Sequence, residues 1–421
     1  MKRKHLIVVG GGAAGFFAAV NAAEMNSALQ VTLLEKSGKL LAKVAVSGGG
    51  RCNVTHHCFE IEDMIRNYPR GARFLKKAFH HFFTPDTIQW FHQRGVPLKV
   101  EKDGRMFPVS NRSETIIDCL LKAANRLGVD IRLHSPVSRI SVYRNETGIS
   151  NEAQKRFTVY LSDTAFLEAD YLCLACGGYP KLAQYNWLQE LSLQIKPPVP
   201  SLFTFNIPGS GITELMGISV NAASIKVAGT KLRSEGPLLI THWGLSGPAV
   251  LRLSAWGAIE LAQRQYQFTV LVNWTGALSE QQLQQSWPEW RNTFATRKIF
   301  QHQPFALPAR LWHYLLQKSG IDDSQRWGDL LQKQQNALIQ WLTASSFEVK
   351  GKTTFKEEFV TCGGIDLSEI DVNTMQSKKQ PGLFFAGEMM DVDGITGGFN
   401  FQHAWTSGWI AAKSIANIAD T

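Results

Sequence analysis

Residues 6–35 read LIVVGGGAAGFFAAVNAAEMNSALQVTLLE, and this stretch decides the fold class. An apolar run predicts a short buried strand, after which Gly10, Gly12 and Gly15 have G-x-G-x-x-G spacing at the start of an alanine-rich run with helical propensity. A second apolar run ends in Glu35, twenty residues after Gly15. Strand, tight turn, helix, strand and acid follow one another in the order of a dinucleotide-binding unit.

Each residue type in this turn has a physical reason. Gly10 permits the tight turn, Gly12 lets the backbone approach a pyrophosphate, and Gly15 lets the helix pack closely on the strand. The phosphates then lie at the helix N-terminus, where unpaired N–H groups and the helix dipole favour negative charge. Glu35 can accept hydrogen bonds from an adenosine ribose. The alternative, a glycine-rich turn in an ordinary α/β unit, leaves Glu35 unexplained.

Length and composition limit the class of protein. A chain of 421 residues allows two or three domains and a large core, and 44% hydrophobic with 19% charged residues is ordinary for a globular enzyme. The net charge of +9 fits either a polyanionic partner or a site for anionic cofactors and substrates. Because Lys and Arg are spread along the chain, charge alone does not predict nucleic-acid binding, and we expect a small-molecule substrate. The sequence does not set the oligomeric state.

The N-terminus, MKRKH followed by apolar residues, superficially imitates a signal peptide. Three successive glycines interrupt the apolar run, and cleavage would remove the first strand of the nucleotide fold. No uninterrupted apolar run reaches the roughly 20 residues of a membrane span. We therefore expect a cytoplasmic protein without a membrane partner.

The six cysteines do not predict a disulfide framework. Cys173 and Cys176 lie on an apolar strand, where positions three apart point to opposite faces, so buried thiols are expected there and no metal site. Cys52 and Cys58 follow the first nucleotide motif at nearly the position of the redox pair in glutathione-reductase-like proteins. A dithiol-disulfide oxidoreductase is therefore one alternative function, although the spacing is one residue longer and a second nucleotide domain is missing.

A second glycine cluster, SGGGRCN, occupies residues 47–53. Three successive glycines suggest backbone that lies against a flat or bulky ligand. The neighbouring Ser47, Arg51 and Asn53 supply donors for phosphate or ring oxygens. A flexible surface loop is the alternative.

The middle of the first domain supplies two further candidates. Residues 96–109 predict a hairpin in which Arg105 either contacts an anionic substrate or is an ordinary solvated arginine. Ser113 is the expected N-cap of a helix that Gly128 ends. After the next strand, Val137 lies on a loop where backbone can meet an adenine edge.

The apolar run 171–176 predicts a buried strand, and it ends in Gly177 and Gly178, a natural place for backbone to approach a ligand. No other G-x-G-x-x-G occurs in the chain, so a separate nicotinamide-binding Rossmann domain is not visible. NAD(P)H then has the role of a transient electron donor.

Composition changes near residue 196, and alternating strands are predicted as far as 275. Residues 241–251, THWGLSGPAVL, predict a strand, a glycine turn and a helix; His242 there is either a proton carrier or a structural histidine. Residues 276–346 predict a small helical subdomain that buries its tryptophans, in preference to a surface for stacking bases.

The C-terminal part predicts a return to the first domain at 347–421. The sequence predicts a buried strand through 383–388, and Gly397 lies at the start of a predicted long helix. The N-terminus of this helix can stabilise negative charge on a reduced isoalloxazine ring near N1 and the C2 carbonyl, with simple helix capping as the alternative. The predicted domains are 1–195, 196–275, 276–346 and 347–421.

The layout resembles the two-dinucleotide-binding-motif flavoproteins, whose FAD domain combines the two ends of the chain. More narrowly, GGGAAG, SGGGRCN, THWGLSGPAVL, VTCGGID and AGEMMDVDGITGGFNFQHAWTSG resemble the BaiN-like (YhiN-type) NAD(P)/FAD-dependent oxidoreductase family over nearly the whole chain. The resemblance implies an α/β fold: a Rossmann-like, glutathione-reductase-type FAD domain with an inserted β-barrel-like domain and a helical piece. Its strand ending in Gly177 departs from the family, which commonly has a Thr-containing glycine-rich turn there.

By this resemblance the AMP half of FAD lies at the first glycine turn and Glu35, and residues 47–53 and 387–400 surround the pyrophosphate, ribityl chain and flavin. The expected FAD contacts are Gly10, Gly12, Ala13, Ala14, Gly15, Glu35, Lys36, Lys43, Ser47, Gly48, Gly49, Gly50, Arg51, Cys52, Asn53, Val137, Ala175, Cys176, Gly177, Gly387, Glu388, Asp391, Gly397, Gly398, Phe399 and Asn400. His242, Arg51 and Arg105 are the catalytic candidates.

The family's members are similar to enzymes that reduce unsaturated steroid-like acids or oxidise small amines, which implies hydride transfer between a substrate carbon and flavin N5. Besides the dithiol enzyme, two alternatives stay open. One is an RNA-binding or tRNA-modifying flavoprotein, which the positive charge and tryptophan content suggest, and the other is a flavin-binding protein without turnover.

Overall fold

The structure, a computed structural model, describes residues 3–143, 155–276, 278–353 and 360–419. Its strands are β1 (His5–Val9), β2 (Gln30–Leu34), β3 (Thr55–His56), β4 (Leu98–Val100), β5 (Arg105–Pro108), β6 (Asp130–Arg132), β7 (Arg139–Val142), β8 (Phe157–Tyr160), β9 (Phe166–Ala169), β10 (Tyr171–Leu174), β11 (Ile195–Pro200), β12 (Thr204–Asn206), β13 (Ser219–Val227), β14 (Arg233–Thr241), β15 (Gly244–Ser246), β16 (Gln267–Asn273), β17 (Ser345–Lys350), β18 (Lys352–Thr353), β19 (Thr361–Ile365) and β20 (Leu383–Phe385). Its α-helices are α1 (Ala13–Met25), α2 (Ala42–Gly50), α3 (Ile61–Ile65), α4 (Ala72–Ala78), α5 (Thr84–Gln93), α6 (Ser113–Arg126), α7 (Pro248–Trp256), α8 (Ala258–Gln263), α9 (Glu280–Thr293), α10 (Ala309–Lys318), α11 (Gln332–Ala344) and α12 (Phe399–Ala419).

Two compact units make up the chain. The first contains Met1–Pro200 and Lys356–Thr421, and the second contains Ser201–Phe355. The predicted return to the first domain at residue 347 is too early, because β17 pairs with β16 of the second unit. Alternating apolar residues identify β17 as a strand, but alternation does not say which sheet a strand joins.

A parallel five-stranded sheet forms the centre of the first unit. Its strand order is β20-β10-β1-β2-β6, so the strand that precedes α12 lies in the same sheet as the strand that precedes α1. The described residues of β1, β10 and β20 are all buried, as expected of strands covered on both faces. The carboxyl ends of these three strands therefore lie side by side, where ligands of open α/β sheets bind.

Helices α1 and α12 pack against each other through small residues and aromatic rings. A Cβ on Gly408 would lie 2.8 Å from the carbonyl oxygen of Ala14 and 3.2 Å from the backbone nitrogen of Ala18. The ring of Trp405 lies 5.1 Å from the ring of Phe17, and both side chains are fully buried. The N-terminal and C-terminal parts of the chain thus form one core.

In the second unit, seven strands pair in the order β17-β16-β13-β14-β15-β12-β18. Laid flat, the outermost strands would be roughly 29 Å apart at the usual spacing. Gly351 alone joins β17 to β18, so the sheet must curl until its two edges meet. This closure agrees with the β-barrel-like form expected for the insert.

Helices α9 to α11 share one hydrophobic core with this sheet. Trp274, Trp287, Trp312 and Trp327 are each at most 1% exposed, so these tryptophans are buried as the sequence predicts. Pro288 lies inside α9. The helical piece is therefore an extension of the barrel core.

The ends of α6 differ in part from the sequence expectation. Helix α6 does begin at Ser113, but its N-cap is Arg112, and the Ser113 hydroxyl donates instead to the carbonyl of Ala45. Gly128 follows the helix with a φ of +70°, as expected of a residue that ends one. Of the helices that the structure describes, none combines the length and the apolar character that crossing a bilayer takes.

The contact at Gly408 predicts a large effect of added side-chain volume. Gly408→Val forces a side chain into the backbone of α1, and we expect it to lower the free energy of unfolding by roughly 1–3 kcal/mol. Asn417→Val, which puts the same side chain on an exposed position of α12, is the control. Thermal unfolding measures both variants; equal midpoints would contradict the α1–α12 packing.

Candidate functional site

The first glycine turn has the geometry that the sequence predicts. Gly10 has a φ of +118°, and its N–H donates to the carbonyl of Leu34 over 2.8 Å. A Cβ on Gly15 would lie 1.9 Å from the carbonyl oxygen of Gly10, so α1 can approach β1 only without a side chain there. A Cβ on Gly12 would meet no heavy atom within 4 Å. The backbone at Gly12, where α1 begins, therefore faces open space.

Glu35 is held against this turn. Its Oε2 accepts a hydrogen bond from the N–H of Gly11 over 2.9 Å, and its Oε1 accepts from the N–H and the hydroxyl of Ser37, each over 2.8 Å. The sequence placed an acid at this strand end, but it did not reveal that Gly11 and Ser37 orient the carboxylate. A fixed acceptor beside the N-terminus of α1 suits the adenosine ribose of a dinucleotide.

The second glycine cluster interrupts α2. Ser47 leaves the helical conformation at ψ 147°, and Gly48, Gly49 and Gly50 then have φ values of 58°, 70° and 80°. Gly49 and Gly50 are exposed, and a Cβ on either would meet nothing within 4 Å. This backbone is therefore open to a ligand, and contact of residues 47–53 with FAD stays a prediction.

Arg51 and Arg105, both catalytic candidates, share a carboxylate. Arg51 Nη1 lies 2.5 Å from Glu101 Oε1, and Arg105 Nη2 lies 3.4 Å from Glu101 Oε2. The Arg51 guanidinium also lies 4.0 Å from the centre of the Phe107 ring. The partner of Arg51 is fifty residues away in the chain, so spacing alone could not reveal it. Neither arginine is a free cation in this arrangement.

The C-terminal glycines bring α12 to the same place. Gly387 follows β20 with a φ of +68°, and a Cβ on it would lie 2.7 Å from the Cβ of Ala14 at the start of α1. Gly398 lies against Thr55, where a Cβ would be 2.6 Å from the carbonyl carbon. Residues 10–15, the segment after the second glycine cluster and residues 387–400 therefore meet in one region.

Side chains from the second segment join this region. His56 Nδ1 lies 3.1 Å from the carbonyl oxygen of Gly397, and the His56 ring stacks on Phe399 with 4.8 Å between centres. Asn400 bonds both the N–H and the carbonyl of Gly394, which closes the loop before α12. Phe399 and Asn400 thus shape the loop through their own contacts.

Four other predicted contacts lie in ion pairs or ring contacts. Lys43 Nζ lies 2.5 Å from Glu388 Oε2, and Glu388 also accepts from the N–H of Thr361. Asp391 pairs with Lys196 over 2.9 Å, and Lys36 lies 5.4 Å from the Tyr179 ring centre. The remaining predicted contacts lie at element ends or on a loop. Ala13 is the first residue of α1, Ala175, Cys176 and Gly177 follow β10, and Val137 is on the loop between β6 and β7.

The thiol chemistry argues against a redox pair at Cys52 and Cys58. Cys52 is fully buried, and burial raises the pKa of its thiol to about 12. Burial also raises the pKa of Cys58. Thiolate is the reactive form, so neither cysteine is activated at neutral pH.

His242 lies in the second unit, in the turn between β14 and β15. It is exposed, and its ring lies 4.3 Å from the ring of Trp243. An exposed turn position leaves His242 accessible to solvent. Among the described residues, no group of three or more His, Cys, Asp or Glu side chains is placed to hold a metal ion.

The family model described as HI0933-like protein Rossmann domain matches residues 4–414. The chain belongs to this family. The assignment confirms the resemblance drawn from the motifs, and with it the FAD-binding Rossmann fold.

Several characterised relatives of this HI0933-like chain span its whole length. It is 32% identical over 425 residues to a ribosomal RNA dihydrouridine synthase of Escherichia coli, covering 99% of this chain and 98% of the relative. It is 26% identical over 422 residues to a 3-dehydro-bile acid delta(4,6)-reductase of Clostridium scindens, covering 97% and 98%. Among solved structures, the open conformation of a flavocytochrome c3 fumarate reductase matches with a TM-score of 0.50 and 17% identity, over 99% of this chain and 79% of that one, which shows a shared fold.

Unpartnered polar atoms test whether the HI0933-like site fits FAD. Asn53 Oδ1 and His403 Nδ1 are buried and have no hydrogen-bond partner among the described residues. His403 Nε2 lies 3.1 Å from the Gly387 carbonyl oxygen, and burial lowers the pKa of His403 to about 4, so the ring is neutral. Together with the open backbone at the glycines, these atoms fit a large polar ligand. Sequence reasoning missed His403, because nothing in the local pattern of α12 distinguishes it.

Glu35 generates a prediction about cofactor affinity. Glu35→Ala removes an acceptor that the ribose needs and the partner that orients Gly11, so we expect the dissociation constant for FAD to rise about tenfold or more. Glu62→Ala, at a carboxylate whose side chain is 62% exposed, is the matched control. Titration of the apoproteins with FAD measures both; unchanged affinity in the Glu35 variant would argue against this placement of the ribose.

Proposed function

We propose that this protein is an FAD-dependent reductase that adds hydrogen across a carbon–carbon double bond conjugated to a carbonyl, and that its substrate is a uracil base of ribosomal RNA. The observation that carries the proposal is the full-length likeness to a ribosomal RNA dihydrouridine synthase, at 32% identity. A Haemophilus influenzae relative of the same name is 29% identical over 421 residues. The glycine segments at residues 10–15, 47–53 and 387–400 support the cofactor part of the proposal, because they leave backbone open beside the helix N-termini.

The names of the relatives point to one chemistry. Conversion of uridine to dihydrouridine saturates a double bond conjugated to a ring carbonyl, and a delta(4,6)-reductase acting on a 3-dehydro bile acid saturates double bonds conjugated to a ketone. For each double bond reduced, the carbon at the end of the conjugated system accepts a hydride and its neighbour accepts a proton. One π bond then breaks, and two electrons would pass from a reduced cofactor to the substrate.

When bound, FAD would supply a hydride from its flavin N5. The chain's own contribution is binding and electrostatics. The N-terminus of α12 carries a partial positive charge from its first N–H groups, and this charge would stabilise negative charge on a flavin bound there. A Cβ at Gly49 or Gly50 would meet no heavy atom within 4 Å, so the backbone there is open to a ligand. NAD(P)H is the proposed electron donor, bound transiently because the chain has no second G-x-G-x-x-G.

We propose that the proton donor is one of the catalytic candidates that the sequence predicts. His242 is the candidate with an ordinary acid–base side chain. Arg51 and Arg105 are better suited to holding an anionic group, since arginine keeps its proton at neutral pH. In this role, opening of their pairs with Glu101 would free two cations for phosphate.

An RNA substrate departs from the small molecule expected from the sequence. The chain has 44 Lys and Arg residues against 35 Asp and Glu residues. This excess of positive charge suits a polyanionic substrate, and the name of the E. coli relative gives ribosomal RNA as that substrate's class. An RNA substrate also agrees with the expected cytoplasmic location. A small enone is the second candidate, favoured by the full-length likeness to the bile acid reductase.

The proposal predicts dihydrouridine in treated RNA. Purified FAD-loaded protein is incubated with NADPH and either unmodified ribosomal RNA or a 3-oxo steroid acid with a conjugated double bond, and nucleosides and steroids are analysed by mass spectrometry. We expect dihydrouridine with the wild type and none with the Gly15→Val variant, whose turn cannot form. Reduction of the steroid alone would overturn the RNA substrate, and reduction of neither would overturn the reductase.

A further inference from the structure

A surface cavity lies between α1, α5, α6 and α12 in the first unit. Its volume is about 400 Å³, and its lining includes Asn21, Glu24, Trp90, Arg94, Arg126 and Trp409. Glu24 is eleven residues along α1 from Ala13, which is roughly 17 Å of helix. The cavity is therefore at the opposite end of α1 from the cofactor turn, and nothing in the reductase mechanism uses it.

Two tryptophan rings are held in fixed positions at this α1–α12 cavity. Trp90 Nε1 donates to Asn21 Oδ1 over 2.9 Å, and Asn21 Nδ2 donates to the carbonyl of Phe17 over 2.6 Å. Trp409 stacks on Phe82 with 5.2 Å between ring centres and remains partly exposed. Trp90 is only 6% exposed, so it supports the cavity wall, and the partly exposed Trp409 is the ring of this pair that can meet a planar base.

Cations outnumber carboxylates around these rings. Arg94 lies 3.8 Å over the Trp90 ring, and Lys413 lies 5.0 Å over the Trp409 ring. Arg94 and Arg126 both pair with Glu24, the second over 3.4 Å. Arg94 and Arg126 thus share one carboxylate, and Lys413 lies beside the cavity at Trp409. This excess of positive charge attracts an anion.

Arg94 also has an unused donor. Its side chain is only 13% exposed, and its Nε is buried without a hydrogen-bond partner among the described residues. A buried donor without a partner is costly, and an anionic oxygen in the cavity would satisfy it. The combination of a partly exposed tryptophan ring, excess positive charge and one guanidinium N–H without a partner is typical of sites for nucleotides of a single strand.

We propose that the α1–α12 cavity binds a nucleotide of a single-stranded segment of RNA, with the base against Trp409 and the phosphate near Arg94, Arg126 and Lys413. The inference rests on the RNA substrate proposed above and adds a second contact to it, away from the reacting base. Such a contact would select RNA by its backbone and position it without reading the reacting uracil.

The test is binding of a fluorescently labelled oligouridylate to the FAD-loaded protein, followed by anisotropy at several salt concentrations. The cavity variant is Arg126→Glu with Lys413→Glu, at positions that are largely exposed and so tolerate substitution. The control is Arg66→Glu with Lys333→Glu, which makes the same charge change at exposed positions outside the cavity lining. We expect the cavity variant to bind about tenfold or more weakly, and its salt dependence to flatten by a slope of about 1. We expect the control to stay close to the wild type.

Photocrosslinking of RNA that carries 5-iodouridine gives a second readout without substitution. We expect crosslinks in the peptide that contains Trp409. Equal binding by the cavity and control variants, with dihydrouridine still formed by the wild type, would overturn the cavity and leave the reductase standing. Uridine monophosphate that binds as tightly as the oligonucleotide would overturn the RNA strand as the ligand. Absence of both RNA binding and dihydrouridine in the wild type would overturn the RNA substrate itself.

Discussion

Gly408 sets the distance between α1 and α12, and the rest of the cofactor site depends on that distance. Without a side chain at this position, the backbone of α1 lies against α12 at Ala14 and Ala18. The fully buried Trp405 then reaches Phe17 on one side and donates to the carbonyl of Val54 on the other. One helix contact thus fixes the first glycine turn, the start of α12 and the strand that follows the second glycine cluster.

The basic side chains described below are paired, so an anionic ligand at this site would meet backbone N–H groups rather than free cations. Among the described residues, Arg51 pairs with Glu101, Lys43 with Glu388 and Lys196 with Asp391. The open positions are at the glycines instead, where no side chain covers the backbone. Helix N-termini hold phosphate and reduced flavin in this way without adding buried net charge. The net charge of +9 would then suit the RNA substrate that we propose.

The parts of the fold set by neighbouring residues could be predicted from the sequence, and those set by distant residues could not. Gly10, Gly15 and Glu35 act through a turn of a few residues, so their spacing carries the information. The pairing of Arg51 with Glu101 and the burial of His403 depend on contacts between separate segments, and β17 joined the other unit because register is a property of the whole sheet. Residue spacing could not reveal any of these.

Amide hydrogen exchange on the apoprotein and on the FAD-loaded protein tests most directly whether the two ends of the chain form one cofactor site. The account predicts that FAD slows exchange in residues 10–15 and in residues 398–402 together, with the same dependence on FAD concentration. Protection of the N-terminal turn without any change at the start of α12 would contradict it.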